Sequence, residues 1–390
     1  MRRLYRLRTG TTLYSFQDPI LEVPIVDGSL GSSQVAAAKA VGAEVVDVTS
    51  EDEISEERFV VFDEALYFSP GFLMGALERF DASAGSSVAT LPRDRFNDSV
   101  ILPQGDVPDE WRLPILLRDR ARPEPVPVRV PQVIHRGPPV GLPRQIMPVE
   151  NFGVDVSDVI AGPVPTPFHL LHVNVAVLLS RFASERARWP QWLVSRIAPF
   201  RSPRFYAALR RKNRIGKNCR IHPTAVVEGS TLGDGVTVGA HALVRLSHIG
   251  AQSTIEDQAS VTMSVLGSGN YVANKNHITF SLSWENVFAI HGPYQFSVFG
   301  RDSAVFAVID CDIRLDNQTI SLPTANGIVD SNQYLLGNAY GHGSKVGGGN
   351  IIAPGRIVPN HLHVPPPDSI VYSFEAYDTV KHEKRSDDAR

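Results

Sequence analysis

An α/β domain followed by a parallel β-helix is the fold class that the sequence predicts, and three observations carry it. Residues 1–102 alternate strand-like and helix-like stretches. From Ile215 to Ile278 aliphatic residues recur every seventeen positions. A six-residue step returns at Val346, Ile352, Val358 and Val364.

The first stretch, RRLYRLR, reads as a strand, and LEVPIVDG as a second. SSQVAAAKAVGA is alanine-rich and stops at Gly42, which suits a helix with a glycine end. EVVDVTS is a strand, and RFVVFDEALYFSPGFLMGALERF reads as strand, turn and amphipathic helix. The order β-α-β-β-α predicts an α/β layer over residues 1–102. Residues 103–165 crowd prolines between Arg122 and Glu150, which favours an extended linker or a segment draped on a surface.

Residues 166–214 read as a helical connector, opening with TPFHLLHVNVAVLLSRF. Between Arg196 and Arg214 it carries seven basic residues and no acidic one. A cap on the open end of the β-helix or a solvated helix explains that run, and an anion-contacting face is the alternative.

Residues 215–372 carry the repeat. Ile215, Leu232, Ile249 and Leu266 form one column, each followed by glycine: Gly216, Gly233, Gly250 and Gly267. Ile221, Val238, Ile255 and Val272 form a second, and Val227, Val244, Val261 and Ile278 a third. Within each seventeen the spacing is six, six, five, and small residues such as Cys219, Ala225, Ala242, Ser253 and Ala259 fall four places after a column member. Three short strands per coil, each aiming one aliphatic inward, make a triangular prism whose coils must stack to bury those side chains. The glycines are expected to relieve φ and steric demands at a corner. The period lapses over about 279–335, where VIDCDIRLD alternates, with Ile309, Cys311, Ile313 and Leu315 on one face and the charged residues on the other. The charged tail 373–390 is expected to fray.

A net charge of −3 gives no bias toward nucleic acid. Two cysteines, Cys219 and Cys311, are too few for a disulfide framework. The basic N-terminus lacks the apolar core of a signal peptide, and the longest apolar run holds two histidines and an asparagine and is too short for a bilayer. A cytoplasmic protein that binds neither nucleic acid nor membrane is expected.

The repeat resembles the hexapeptide repeat of left-handed parallel β-helices, and the left hand comes from that resemblance. The order of the first domain resembles the sugar-phosphate nucleotidyltransferase fold, with RTGTTL in place of its glycine-rich loop and FVVFDEALYFSP in place of its metal-binding strand end. The resemblance would make Asp63 the metal ligand, for Mg²⁺. Only Gly10 remains of the loop glycines, and QDPILEVP lacks the family's lysine, so the domain reads as degenerate for triphosphate.

Together the two parts resemble the bifunctional uridyltransferase/acetyltransferases that make UDP-N-acetylglucosamine. That resemblance implies a homotrimer, acyl-coenzyme A between neighbouring prisms, a histidine base, and a sugar phosphate or sugar nucleotide as partner. GNYVANKNHITF offers His277 as base, with Asn270, Tyr271, Asn274 and Lys275 toward substrate. NAYGHGSKVGGGN offers His342 as base and Lys345 toward substrate. The functional expectation is a transferase of sugar-nucleotide metabolism, with acyl transfer on the β-helix. The alternatives are a non-catalytic sugar-nucleotide-binding or assembly subunit, and a retained sugar-1-phosphate nucleotidyltransferase.

Overall fold

The computed structural model describes residues 2–26, 28–103, 108–137, 153–186 and 209–368. A six-stranded mixed sheet organises the N-terminal domain. Its order is 43–48, 2–7, 58–63, 110–119, 87–92 and 126–129. Strand Arg2–Leu7 is parallel to both Ala43–Val48 and Arg58–Asp63, so the C-terminal ends of three strands lie together. Helix α1 (Leu30–Ala40) starts with a capping box between Ser29 and Ser32. Helix α2 (Pro70–Asp81) is capped by Ser69, with proline in its first turn. Helix α3 (Arg95–Ile101) is capped by Asp94.

The sheet does not end at 102. Glu110–Asp119, inside the stretch expected to be linker, lies between Arg58–Asp63 and Ser87–Pro92, pairing antiparallel with both. Val126–Arg129 adds the edge, and Ala161–Pro163 pairs with Leu66–Phe68. Pro127 sits on the edge strand, and Pro114 falls where the pairing of Glu110–Asp119 with Ser87–Pro92 shifts register. A missing N–H is tolerated at both places, so proline density misplaces the boundary. Much of the proline-rich run, residues 138–152, lies outside the described residues, as do most of the basic segment (187–208) and the tail.

Helix α4 (Pro167–Arg186) joins the two halves. Phe168, Leu170, Leu171 and Val173 are fully buried in a cluster that also holds Leu13, Phe16 and Ile20 of the first domain. The same cluster takes in Val265, Phe280, Leu282, Phe296 and Val298 of the prism. Leu246, Met263, Phe280 and Phe296 occupy one prism corner at successive coils, each with positive φ, and present an apolar edge to the helix.

The C-terminal half is a three-sided parallel β-helix. Two faces hold eight strands each and the third holds five, continued by the pair Ile309–Asp310 and Ile351–Ile352. Through the regular coils each strand pairs with the one seventeen positions on, as in Ile215↔Leu232, Ile221↔Val238 and Val227↔Val244. The step then becomes sixteen, as in Leu282↔Val298, forty-one across the interruption, as in Val298↔Ala339, and eighteen, as in Ala339↔Ile357. Ten of the twelve column residues are buried. Ile215, on the first coil, is 52% exposed and Ile221 is half-buried, since among the described residues no coil precedes them. Each fully buried aliphatic contributes about 1.5–3 kcal/mol, so the stack rather than any single coil is the stable unit.

The column glycines work sterically and not through φ. Gly216, Gly233, Gly250 and Gly267 keep ordinary φ, but a Cβ on Gly250 would lie 2.4 Å from the Gly267 carbonyl carbon, and one on Gly267 2.5 Å from that of Trp284. Left-handed backbone falls elsewhere, on corner residues such as His241, Gln258, Lys275 and His291.

Inside one corner runs a ladder of buried serines, Ser230, Ser247, Ser264, Ser281 and Ser297. The Ser264 hydroxyl donates to the Thr262 carbonyl at 2.7 Å and accepts from the Ser281 N–H at 3.0 Å.

Between 310 and 339 the coil is interrupted by the hairpin Ser321–Thr324/Gly327–Asp330. Here the expected alternation breaks down at Ile309, Asp310 and Leu315. Ile309 is 56% exposed and Leu315 fully so, while the Asp310 carboxylate accepts from Ser297 Oγ at 2.5 Å, from Tyr340 Oη at 3.0 Å and from Asn338 Nδ2. Buried polar groups of the interrupted coil claim the carboxylate, and they outweigh the pattern of the local sequence.

Candidate functional site

At the C-terminal ends of the parallel strands, where open α/β sheets ordinarily take ligands, this chain satisfies itself. Arg8–Thr12 leaves the first strand through Gly10, whose φ of 71° is left-handed. Two backbone donors, Thr9 N–H and Thr11 N–H, both at 2.8 Å, converge on Glu64 Oε1, with the Thr9 hydroxyl at 2.9 Å. Arg8 Nε donates to Glu64 Oε2 at 2.8 Å. Burial opposes the charge on Glu64, but those donors hold its pKa below the ordinary value. Around it Arg6 makes a two-point pair with Asp47 at 2.6 and 2.9 Å and donates to Gln34 at 3.0 Å. Gln34 in turn donates to the carbonyls of Glu64 and Leu66.

The sequence points to Asp63; the structure gives the loop to Glu64, one residue on. Asp63 Oδ1 accepts the Ala65 N–H at 2.7 Å, capping the turn into Leu66–Phe68, and burial raises its pKa. Among the described residues no three His, Cys, Asp or Glu side chains gather as a metal set. As arranged here, Asp63 Oδ1 is engaged in capping a turn and the loop donors are taken by Glu64, so neither is presented to Mg²⁺ or to a triphosphate in this arrangement.

The prism residues fall into three places. Asn270 is 3% exposed inside the prism. Its Nδ2 donates to Ser283 Oγ at 2.6 Å and to the carbonyls of Gly267 and Trp284, and its Oδ1 accepts the Val287 N–H at 2.6 Å. It is an internal brace between coils, which corrects its assignment to substrate.

His342 lies in the seam between domains, 8% exposed. Its Nδ1 accepts the Arg301 N–H at 2.7 Å, which places the proton on Nε2, 2.6 Å from Asp18 Oδ2. Phe16 and Trp284 meet the ring edge-on at 5.0 and 5.5 Å. Both nitrogens are committed, so His342 as arranged here has no free lone pair for a substrate proton.

Asn274, Lys275 and His277 remain, all exposed and close together around the corner of one coil. Lys275 sits at the corner with φ 60°. Beneath the strip, Asn276 is buried; its Oδ1 accepts the N–H groups of His277 and Gly292, and its Nδ2 donates to the Ala289 carbonyl. His277 Nε2 lies 3.3 Å from Thr279 Oγ1, and partial desolvation lowers the imidazole pKa. Tyr271 precedes the strip on the adjoining face, stacked on Phe288 at 5.1 Å. Lys345 shares that face, three strands on, in register with Ala304 and His363. Sequence reasoning names His277 as a candidate and does not name Asn276 and Thr279, which adjoin it; their signal is weak because each is a lone polar residue at the end of the regular period.

The model of the bacterial transferase hexapeptide (six repeats) family matches residues 214–245, the first coils of the prism. A comparison with curated proteins found no match. Among solved structures, the inositol-1-phosphate CTP transferase from T. maritima aligns at 13% identity over 31% of this chain and 71% of that one, with a TM-score of 0.22, a likeness too slight to carry an argument. The fold is an α/β domain on a parallel β-helix of hexapeptide type. Among the described residues no helix is long and apolar enough to cross a membrane.

Proposed function

We propose that the chain is a transferase of sugar-nucleotide metabolism that moves an acyl group from acyl-coenzyme A to an amine or hydroxyl of a sugar phosphate or sugar nucleotide. The chemistry belongs to the outer strip of the prism. One observation carries the choice: His277 is exposed at the prism corner, with one ring nitrogen beside Thr279 and the other without a protein partner among the described residues, and partial desolvation lowers its pKa. A neutral, positioned imidazole is what proton removal from an acceptor requires.

In this reading His277 Nδ1 takes the acceptor proton as the acceptor atom bonds to the thioester carbonyl carbon. The carbon–sulfur bond then breaks, and the proton returns to the departing thiolate. Lys275 pairs with substrate phosphate, and Asn274 hydrogen-bonds the acceptor. A single prism leaves the strip without a second wall, and a homotrimer would supply one from its neighbour. The hexapeptide transferase match on the first coils supports the class.

The test is thiol release from acetyl-coenzyme A against amino-sugar phosphates and nucleotides. Turnover with at least one acceptor, lowered about 10²–10⁴-fold in His277→Ala, supports the proposal. No turnover and no binding across the panel overturns it.

The Glu64 arrangement favours a second reading, a subunit that binds a sugar nucleotide without transferring it. Thermal stabilisation by UDP-, dTDP- or GDP-sugars with no thiol or pyrophosphate release would select it.

A further inference from the structure

Glu64 is an acid whose side chain is only 1% exposed, and among the described residues its carboxylate takes its hydrogen bonds from the four-residue stretch Arg8–Thr11. Three donors meet one oxygen, and a guanidinium meets the other. The backbone is already bent for this purpose, because Gly10 takes left-handed φ with nothing within 4 Å of where its Cβ would lie. Glycine is thus retained there for conformation rather than for space. Successive N–H groups turned toward one point form a concavity that takes an oxyanion, and an arginine at its rim adds charge and geometry.

We infer that Arg8–Thr11 is an oxyanion nest whose resident anion is the chain's own Glu64 carboxylate. Removing that carboxylate exposes a site for a free oxyanion of the phosphate class. The inference is independent of acyl transfer on the prism.

The nest also anchors the segment that docks the domains. Directly after it, Leu13, Phe16 and Ile20 are buried, the Phe16 carbonyl accepts from Asn360 Nδ2 at 2.8 Å, and Asp18 meets His342. An empty nest should therefore loosen the strap from Leu13 to Ile20 as well as the loop itself.

The experiment uses the full chain with Glu64→Ala and follows thermal unfolding while inorganic phosphate is titrated against chloride at matched ionic strength. The expected result is a Tm several degrees below wild type that phosphate raises saturably toward the wild-type value. Wild type should show no phosphate-specific shift, because its nest is filled. The double variant Arg8→Ala/Glu64→Ala should lose the rescue. Equal response of Glu64→Ala and wild type to phosphate, or no response in either, overturns the inference. Should Glu64→Ala fail to fold in chloride, the same comparison is read as refolding yield. A higher yield in phosphate then supports the nest, and an equal yield overturns it.

Discussion

His342 and Asp18 meet at 2.6 Å although 324 positions separate them, and that contact closes the seam between the α/β domain and the prism. Arg301 serves both, donating its backbone N–H to His342 and lying 3.7 Å from Asp18 with its guanidinium. The contact predicts energetic coupling across the seam. His342→Ala and Asp18→Asn should each destabilise the chain. Together they should cost less than their sum, with an interaction of about 0.5–3 kcal/mol. Urea unfolding of the four species measures it, and simple additivity would show that the pair contributes nothing to docking.

Helix α4 carries a pH dependence. Burial lowers His169 to about 3 and His172 to about 4, whereas an unfolded histidine titrates near 6.5. Between pH 6.5 and 4 the unfolded chain binds protons that the folded chain refuses, so stability falls as pH falls through that window. Among the described residues His172 Nε2 has no hydrogen-bond partner, and its ring stacks on Phe296 at 6.1 Å. His172→Phe should keep the stacking and flatten the slope. Urea midpoints at pH 7 and pH 5 decide it, the wild type losing more than the variant.

Asp310 has the opposite sign. Burial raises its carboxyl to about 6, against the three donors that lower it. Its ionised form is therefore a cost to the folded state that grows as pH rises from about 4 through 6. The stability of Asp310→Asn relative to wild type should improve over that rise, whatever its starting offset. An unchanged difference across the window would show that the carboxyl is not desolvated.

The serine ladder predicts a specific orphan. Ser264→Ala leaves the buried Ser281 N–H without its side-chain acceptor, at a cost of about 1–3 kcal/mol. Chemical denaturation measures that loss, which an ordinary surface serine would not show.

The prism was legible because its physics repeats. A side chain that must face inward on every coil leaves a column, and the members on an inner coil, Ile249, Ile255 and Val261, are fully buried. Two further periods stand in the same sequence. Ser230, Ser247, Ser264 and Ser281 mark the polar ladder, and Leu246, Met263 and Phe280 mark the edge that receives α4. The boundary near 102 is not legible, because Glu110–Asp119 gains its place from partners at Arg58–Asp63 and Ser87–Pro92. The loop around Gly10 shows its lack of glycines in sequence, but nothing local announces that Glu64 fills it. Nor does the Gly-His turn at His342 announce that its partner is Asp18, a contact that exists only after the domains dock.

The central proposal is that chemistry belongs to the prism and that the α/β domain does not transfer nucleotide. One purified preparation, given acetyl-coenzyme A with amino-sugar acceptors and separately nucleoside triphosphates with Mg²⁺ and sugar 1-phosphates, tests it. The account predicts thiol release that depends on His277 and no pyrophosphate release. Pyrophosphate release without thiol release would contradict it.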